Sequence, residues 1–184
     1  MNYIKLEEAG KRYLSHRFTL EVSKDDFLVI SGDNGSGKTT LLMLILGFIH
    51  PDTGKIEKRK LKMGYLPEKV VLPPFIPVME YLLTMARIKK DTLDPTLLHT
   101  LEVPLDKSIH QLSKGNQQKI AFISACMGKP HLLILDEPFS GLDEVMKEKM
   151  VELIEKRHHQ GTSILISTHE PERFLHLATK HLRL

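Results

Sequence analysis

The run GDNGSGKTT, Gly32 to Thr40, carries the strongest chemical signal in the sequence. It fits the pattern G-x-x-x-x-G-K-[ST], with Gly32, Gly37, Lys38 and Thr39 at the fixed positions. The pattern follows an apolar run, FLVIS, and opens an apolar helix-like run, so it sits at a strand-to-helix turn. There the glycines, with Asn34 and Ser36 between them and Thr40 after them, let backbone N–H groups converge on phosphate oxygens. Lys38 adds a point charge at the β- and γ-phosphates, and the Thr39 hydroxyl is placed to ligate Mg²⁺. A second site with chemistry is LLILDEP, where four apolar residues precede Asp136 and Glu137. Ligands of α/β folds bind at the carboxyl ends of strands, so both acids are expected at that edge. Asp136 is the expected Mg²⁺ partner, and Glu137 the expected general base toward an attacking water. A third is ILISTHEP, which places His169 just past another apolar run. A neutral imidazole there would touch the terminal phosphate and orient the water.

A fourth stretch, LSKGNQQK, reads as a second anion site. Ser113 is a good N-cap, Gly115 leaves bare backbone, and Gln117, Gln118 and Lys119 favour a helix.

These residues need a frame that brings them to one edge. FLVIS, HLLILDE and TSILIST read as fully buried strands alternating with helices, which indicates a parallel sheet covered on both faces. KTTLLMLILGF is a helix that is apolar nearly all round. KMGYL is one more strand, and YIKL and RFTLEV are short strands with polar alternation. Lys55 to Lys62 is basic and turn-like. Glu68 to about residue 127 reads as a helical insert, broken by prolines at first, then helical at MEYLLTMARI, at Pro95 to Leu101 and from Ser113 onward. Asp143 to Gln160 is amphipathic, with Met146, Met150, Leu153 and Ile154 on one face. Pro171 to Ala178 is expected to be helical.

Composition sets outer limits. The 184 residues suffice for one domain with a sizeable core, and 41% apolar with 27% charged residues is a globular balance. The net charge of +3 is small, and the basic residues are scattered, so nucleic acid is not indicated as a partner. The single cysteine, Cys126, excludes an internal disulfide framework and fits a reducing compartment. No secretory signal pattern precedes the first strand, and the longest apolar run, Leu41 to Leu46, falls far short of the roughly 20 residues a membrane helix needs.

Taken in order, the motifs resemble those of the ATP-binding-cassette ATPases. GDNGSGKTT is similar to the family's phosphate loop, and LSKGNQQK resembles its signature motif, usually LSGGQ. LLILDEP resembles the Walker B strand, SGLD the D-loop, and STH the switch histidine. The resemblance implies an α/β fold: a phosphate-loop NTPase core with a mostly parallel sheet, a small N-terminal antiparallel β subdomain and the helical insert, all in one domain over residues 1–184. It implies ATP and Mg²⁺ at Gly32 to Thr40, with Tyr13 stacked on adenine. It also implies an ATP-dependent head-to-tail dimer, in which Ser113 and Gly115 of one cassette bind the γ-phosphate held by the other. ATP hydrolysis to ADP and phosphate would drive separate transmembrane subunits, with the chain cytoplasmic and peripheral on the inner face of the membrane. The LSKGNQQK form resembles export-type cassettes. The alternative is a soluble ATPase of the same family acting on nucleic acid or ribosomes. Two departures stand out. Lys114 and Asn116 replace the usual signature residues, and Glu68 stands where the family has a Gln that touches Mg²⁺ or the attacking water.

Overall fold

The computed structural model describes residues 2–184. The described residues form two sheets. The smaller one is antiparallel, in the order β2-β1-β4, from β1 (Asn2–Gly10), β2 (Phe18–Ser23) and β4 (Thr53–Lys58). The larger one is β5-β6-β7-β3-β8, from β3 (Phe27–Ser31), β5 (Met63–Leu66), β6 (Leu132–Asp136), β7 (Ser163–Ser167) and β8 (Lys180–Arg183). Each of its neighbouring pairs runs parallel.

The three central strands are buried along their whole length, and their side chains divide between the two faces. Leu28, Ile30, Leu132, Ile134 and Leu165 join one core with the small sheet and with α1 (Lys38–Leu46). Phe27, Val29, Leu133, Leu135, Ile164 and Ile166 face the other core. That second core is covered by α2 (Val78–Lys89), α4 (Lys114–Cys126) and α5 (Glu144–His159), with the short α3 (Pro95–Thr100) at its margin. Period-2 alternation with both faces covered is why these strands are apolar throughout. Among the described residues no helix is long and apolar enough to cross a membrane.

Three segments differ from the sequence expectation, one of them β8, which the sequence reading left unassigned. The basic stretch read as a turn is strand β4, paired antiparallel with β1 through Ile4 opposite Lys58 and Leu6 opposite Ile56. Its side chains are nearly all solvent-facing, so it carries no apolar alternation, and hydrogen bonding to β1 makes it a strand. Lys58 also reaches across to donate to the Leu44 and Ile45 carbonyls at the C-terminal end of α1. A cation at that end satisfies open carbonyls and meets the negative end of the helix dipole.

The remaining difference is Pro171 to Ala178. Only Pro171–Arg173 makes a short 3₁₀ turn, and the chain then drops Phe174 into full burial against Phe27 and Phe139. Burying one large aromatic outweighs the propensity of a short exposed helix. The chain then enters β8, pairing with β3.

Candidate functional site

Register brings the chemistry together. Ile30 of β3 and Asp136 of β6 both lie opposite Ser167 of β7, so these strands end level at one edge. From that edge emerge the phosphate loop, the acid pair and the turn bearing His169. A cavity of about 320 Å³ opens there, lined by Tyr13, Asn34, Gly35, Gly37, Lys38, Thr39 and Thr40 on one side and Glu68, Asp136, Glu137 and His169 on the other.

The phosphate loop turns into α1 at Gly37, whose φ of 101° belongs to the left-handed region that favours glycine. Gly37 caps the helix without a side chain, so the first N–H groups of α1 face the cavity end of the helix unobstructed. Lys38 is only 7% exposed, and its Nζ donates to the carbonyls of Gly32 (2.8 Å) and Asp33 (3.1 Å). The lysine thus braces its own loop while remaining in the cavity wall. Ser36 Oγ is buried without a hydrogen-bond partner within the chain.

The Thr39 hydroxyl donates to Asp136 Oδ2 at 3.0 Å, and Ser167 Oγ donates to Asp136 Oδ1. Burial pushes the Asp136 carboxyl above its ordinary range, and these two hydroxyls work against the shift. Thr39 and Asp136 are therefore adjacent oxygen donors of the hard type that Mg²⁺ takes. Glu137 follows with φ 48°, its N–H bonded to the Ser167 carbonyl at 3.1 Å. Its Oε2 accepts from the His169 backbone N–H at 3.3 Å. Its Oε1 is buried, lies 3.3 Å from His169 Nε2, and has no partner in hydrogen-bond geometry. Burial raises the Glu137 carboxyl above its usual range, with the His169 charge opposing. A carboxylate of raised basicity with one free oxygen beside an imidazole is suited to take a proton from water.

Glu68 belongs to the cavity wall but is exposed. Among the described residues no group of three or more His, Cys, Asp or Glu side chains converges to hold a metal ion. Glu68 shares the cavity wall with Thr39 and Asp136, the other two residues expected to hold Mg²⁺. The remaining donors to Mg²⁺ would be phosphate oxygens and water. Tyr13 is at the cavity, 69% exposed, as an aromatic face available to a base would be.

LSKGNQQK begins α4 as expected, with Ser113 as N-cap accepting from the Asn116 N–H at 3.2 Å. Neither Ser113 nor Gly115 lines this chain's own cavity. Ser113 is exposed, whereas Gly115 is buried. A Cβ at Gly115 would lie 2.3 Å from the Gly141 carbonyl oxygen, so the glycine is required for close approach of α4 to the SGLD turn. The open backbone read from the sequence is, on that side, occupied by the chain itself. We expect Gly115→Ala to destabilise the fold by about 1–3 kcal/mol through backbone displacement, measured by urea unfolding. A stability within error of the native chain would show that the two backbones separate at no cost.

Three residues were missed in the sequence. Leu14 lines the cavity beside Tyr13, an apolar neighbour for a planar ligand. Ser167, fully buried, holds Asp136 and lies 3.3 Å from the Glu137 N–H; a serine ending an apolar strand was its only signal. Gln118, 1% exposed, donates to the Glu137 carbonyl at 3.3 Å and so ties α4 to the acid pair.

The family model described as "ABC transporter" matches residues 15–140. The uncharacterized ABC transporter ATP-binding protein YhaQ of Bacillus subtilis is 39% identical over 169 residues, covering 83% of this chain and 57% of YhaQ. The zinc import ATP-binding protein ZnuC of Wigglesworthia glossinidia brevipalpis is 37% identical, covering 88% of this chain and 72% of ZnuC. The dimeric structure of the bacterial ABC transporter cassette MJ0796 superposes with a TM-score of 0.82 over 98% of this chain and 94% of that one; at 22% identity this shows the fold. The chain spans little more than half the length of YhaQ. With the phosphate loop, acid pair and histidine at one sheet edge, and the family match running through the phosphate loop and the acid pair, the chain belongs to the ATP-binding subunits of the ABC transporter family.

Proposed function

We propose that this chain binds Mg²⁺–ATP, hydrolyses it to ADP and phosphate, and uses the cycle to drive separate membrane subunits of a transporter. The observation that supports this most is the convergence of Lys38, Thr39, Asp136, Glu137 and His169 on one cavity. Lys38 and the N-terminal N–H groups of α1 bind the phosphates. Thr39 and Asp136 hold Mg²⁺, which supplies positive charge to the β- and γ-phosphates. Glu137 accepts the proton of the attacking water, and His169, tied to Glu137, orients it. Tyr13 and Leu14 receive the base.

Residues 68–127 act as the helical insert of a single cassette, and α4 links it to the acid pair through Gln118. Two cassettes pair head to tail, each offering Ser113 to the other's ATP. The chain works at the cytoplasmic face of the membrane, held there by its partners. The LSKGNQQK form speaks for export, while a zinc import ATPase 37% identical to the chain speaks for import. The proposal is therefore ATP-driven transport, with direction set by the membrane subunits. A soluble ATPase acting on nucleic acid is the weaker reading, since the scattered basic residues form no stripe.

The surface for those subunits is proposed on the segment after β5. Val71, 90% exposed, lines a cleft with Tyr65, Pro67, Tyr81 and Met85, and Phe75, four residues on, is 81% exposed beside the His110 ring. Their neighbours Val70 and Leu72 pack against the core instead, so only part of this apolar run is free to dock. Val71→Asp with Phe75→Asp should leave the isolated chain's stability within about 0.5 kcal/mol, as for exposed positions generally. It should abolish co-purification with membrane proteins from detergent extracts that retain the native chain's partners. If the native chain brings down no membrane protein, the transporter reading fails. If the variant brings down as much as the native chain, the docking surface lies elsewhere.

A further inference from the structure

We propose that Glu68 makes nucleotide entry depend on a divalent cation: the cavity accepts ATP carrying its metal and rejects the free polyanion. This rests on the ATP-binding reading of the site. Glu68 lies two residues past β5, and β5 runs beside β6 with Leu66 opposite Leu135. The loops after the two strands therefore emerge together, and Glu68 shares the cavity wall with Asp136 and Glu137. Three carboxylates line the cavity against one ammonium, Lys38, whose Nζ is already engaged by two carbonyls. No ion pair among the described residues takes up the Glu68 carboxylate. Its field nonetheless reaches its neighbours: with burial as the larger cause, Glu68 helps to raise both Asp136 and the Tyr65 phenol, the latter to about 12.

The absence of a converged carboxylate cluster among the described residues bears on the order of events. A resident cation would need several protein ligands in place, whereas Thr39 and Asp136 supply only two. The cation is thus expected to arrive on the phosphates. Free ATP, with about four negative charges, then meets three carboxylates, while metal-bound ATP brings half that charge. An uncharged side chain at position 68 removes one repulsive partner and leaves Thr39 and Asp136 in place. Glu68 is exposed, so its replacement alters charge without disturbing the core.

The test is calorimetric titration of ATP into the native chain, Glu68→Gln and Glu68→Asp, each with Mg²⁺ and with EDTA. In EDTA, Glu68→Gln should bind ATP on the order of tenfold more tightly than the native chain, with the gap shrinking at high salt. With Mg²⁺ the two should agree within about threefold. Glu68→Asp keeps the charge and should follow the native chain in both conditions. Equal affinity of the native chain and Glu68→Gln in EDTA overturns the inference. Failure of the native chain to bind ATP even with Mg²⁺ overturns the ATP-binding reading instead, so the two failures are distinguishable.

Discussion

Lys38→Ala should lower ATP affinity by about ten- to a hundredfold, the largest effect expected of a single substitution within one subunit. Lys38 is 7% exposed, so the contact its ammonium offers a phosphate is poorly screened. Losing a hydrogen bond to a charged group costs about 1.5–3 kcal/mol, which sets the range. The same Nζ bonds the Gly32 and Asp33 carbonyls, so the substitution also loosens the loop that presents its N–H groups. The fold should hold, because the apolar side of α1 is anchored by Leu41, Leu42, Leu44 and Ile45, all fully buried. Equilibrium binding of a fluorescent ATP analogue with Mg²⁺, at matched circular dichroism, measures the loss. An unchanged titration would remove the phosphate loop from the binding site, and the catalytic roles proposed for Glu137 and His169 would lose their substrate.

What could be read in advance follows the range of the interactions. The phosphate loop is encoded over nine consecutive residues, because one turn and one helix start make the site. The buried strands show as apolar runs, since both faces of each are covered. Register is another matter. Asp136 meets Ser167 across 31 positions, and nothing local in either strand states that they end level. The site was legible as a set of strand ends but not as the hydroxyl–carboxylate cluster that those ends form.

Strands β4 and β8 escaped for a related reason. Each is an edge strand held largely by the backbone of one neighbour, and neither needs an apolar pattern to form. Gly115 shows a different limit. A glycine at a helix start has two physical uses, open backbone for a ligand and room for another chain segment, and sequence spacing does not separate them. The carbonyl of Gly141, 26 positions away, decides for the second on the side where Cβ would stand. That leaves Ser113 as the signature residue on which a partner's nucleotide can be tested cleanly.

Ser113→Asp should abolish the ATP-dependent dimer that Glu137→Gln, by slowing hydrolysis, is expected to accumulate. The choice of aspartate matters. Ser113 caps α4 through the Asn116 N–H, and a carboxylate caps as well as a hydroxyl does, so the helix and the monomer should be unaffected. Ser113 is exposed and outside its own cavity, so ATP binding by the monomer should also persist. What changes is the surface offered to a second chain. If that surface docks a γ-phosphate, a carboxylate about 4 Å from it opposes the contact by about 4 kcal/mol near a protein surface. A symmetric dimer meets this at both sites, so association should weaken by at least about a thousandfold. Ser113→Asn, a neutral cap, should retain most of the association. Sedimentation velocity of the Glu137→Gln background with ATP, with and without each change, separates the cases. A stable ATP-dependent dimer in the Ser113→Asp background would place the signature away from the partner's phosphate. Loss of the dimer with Ser113→Asn as well would point to shape at this surface, and charge would not be the cause.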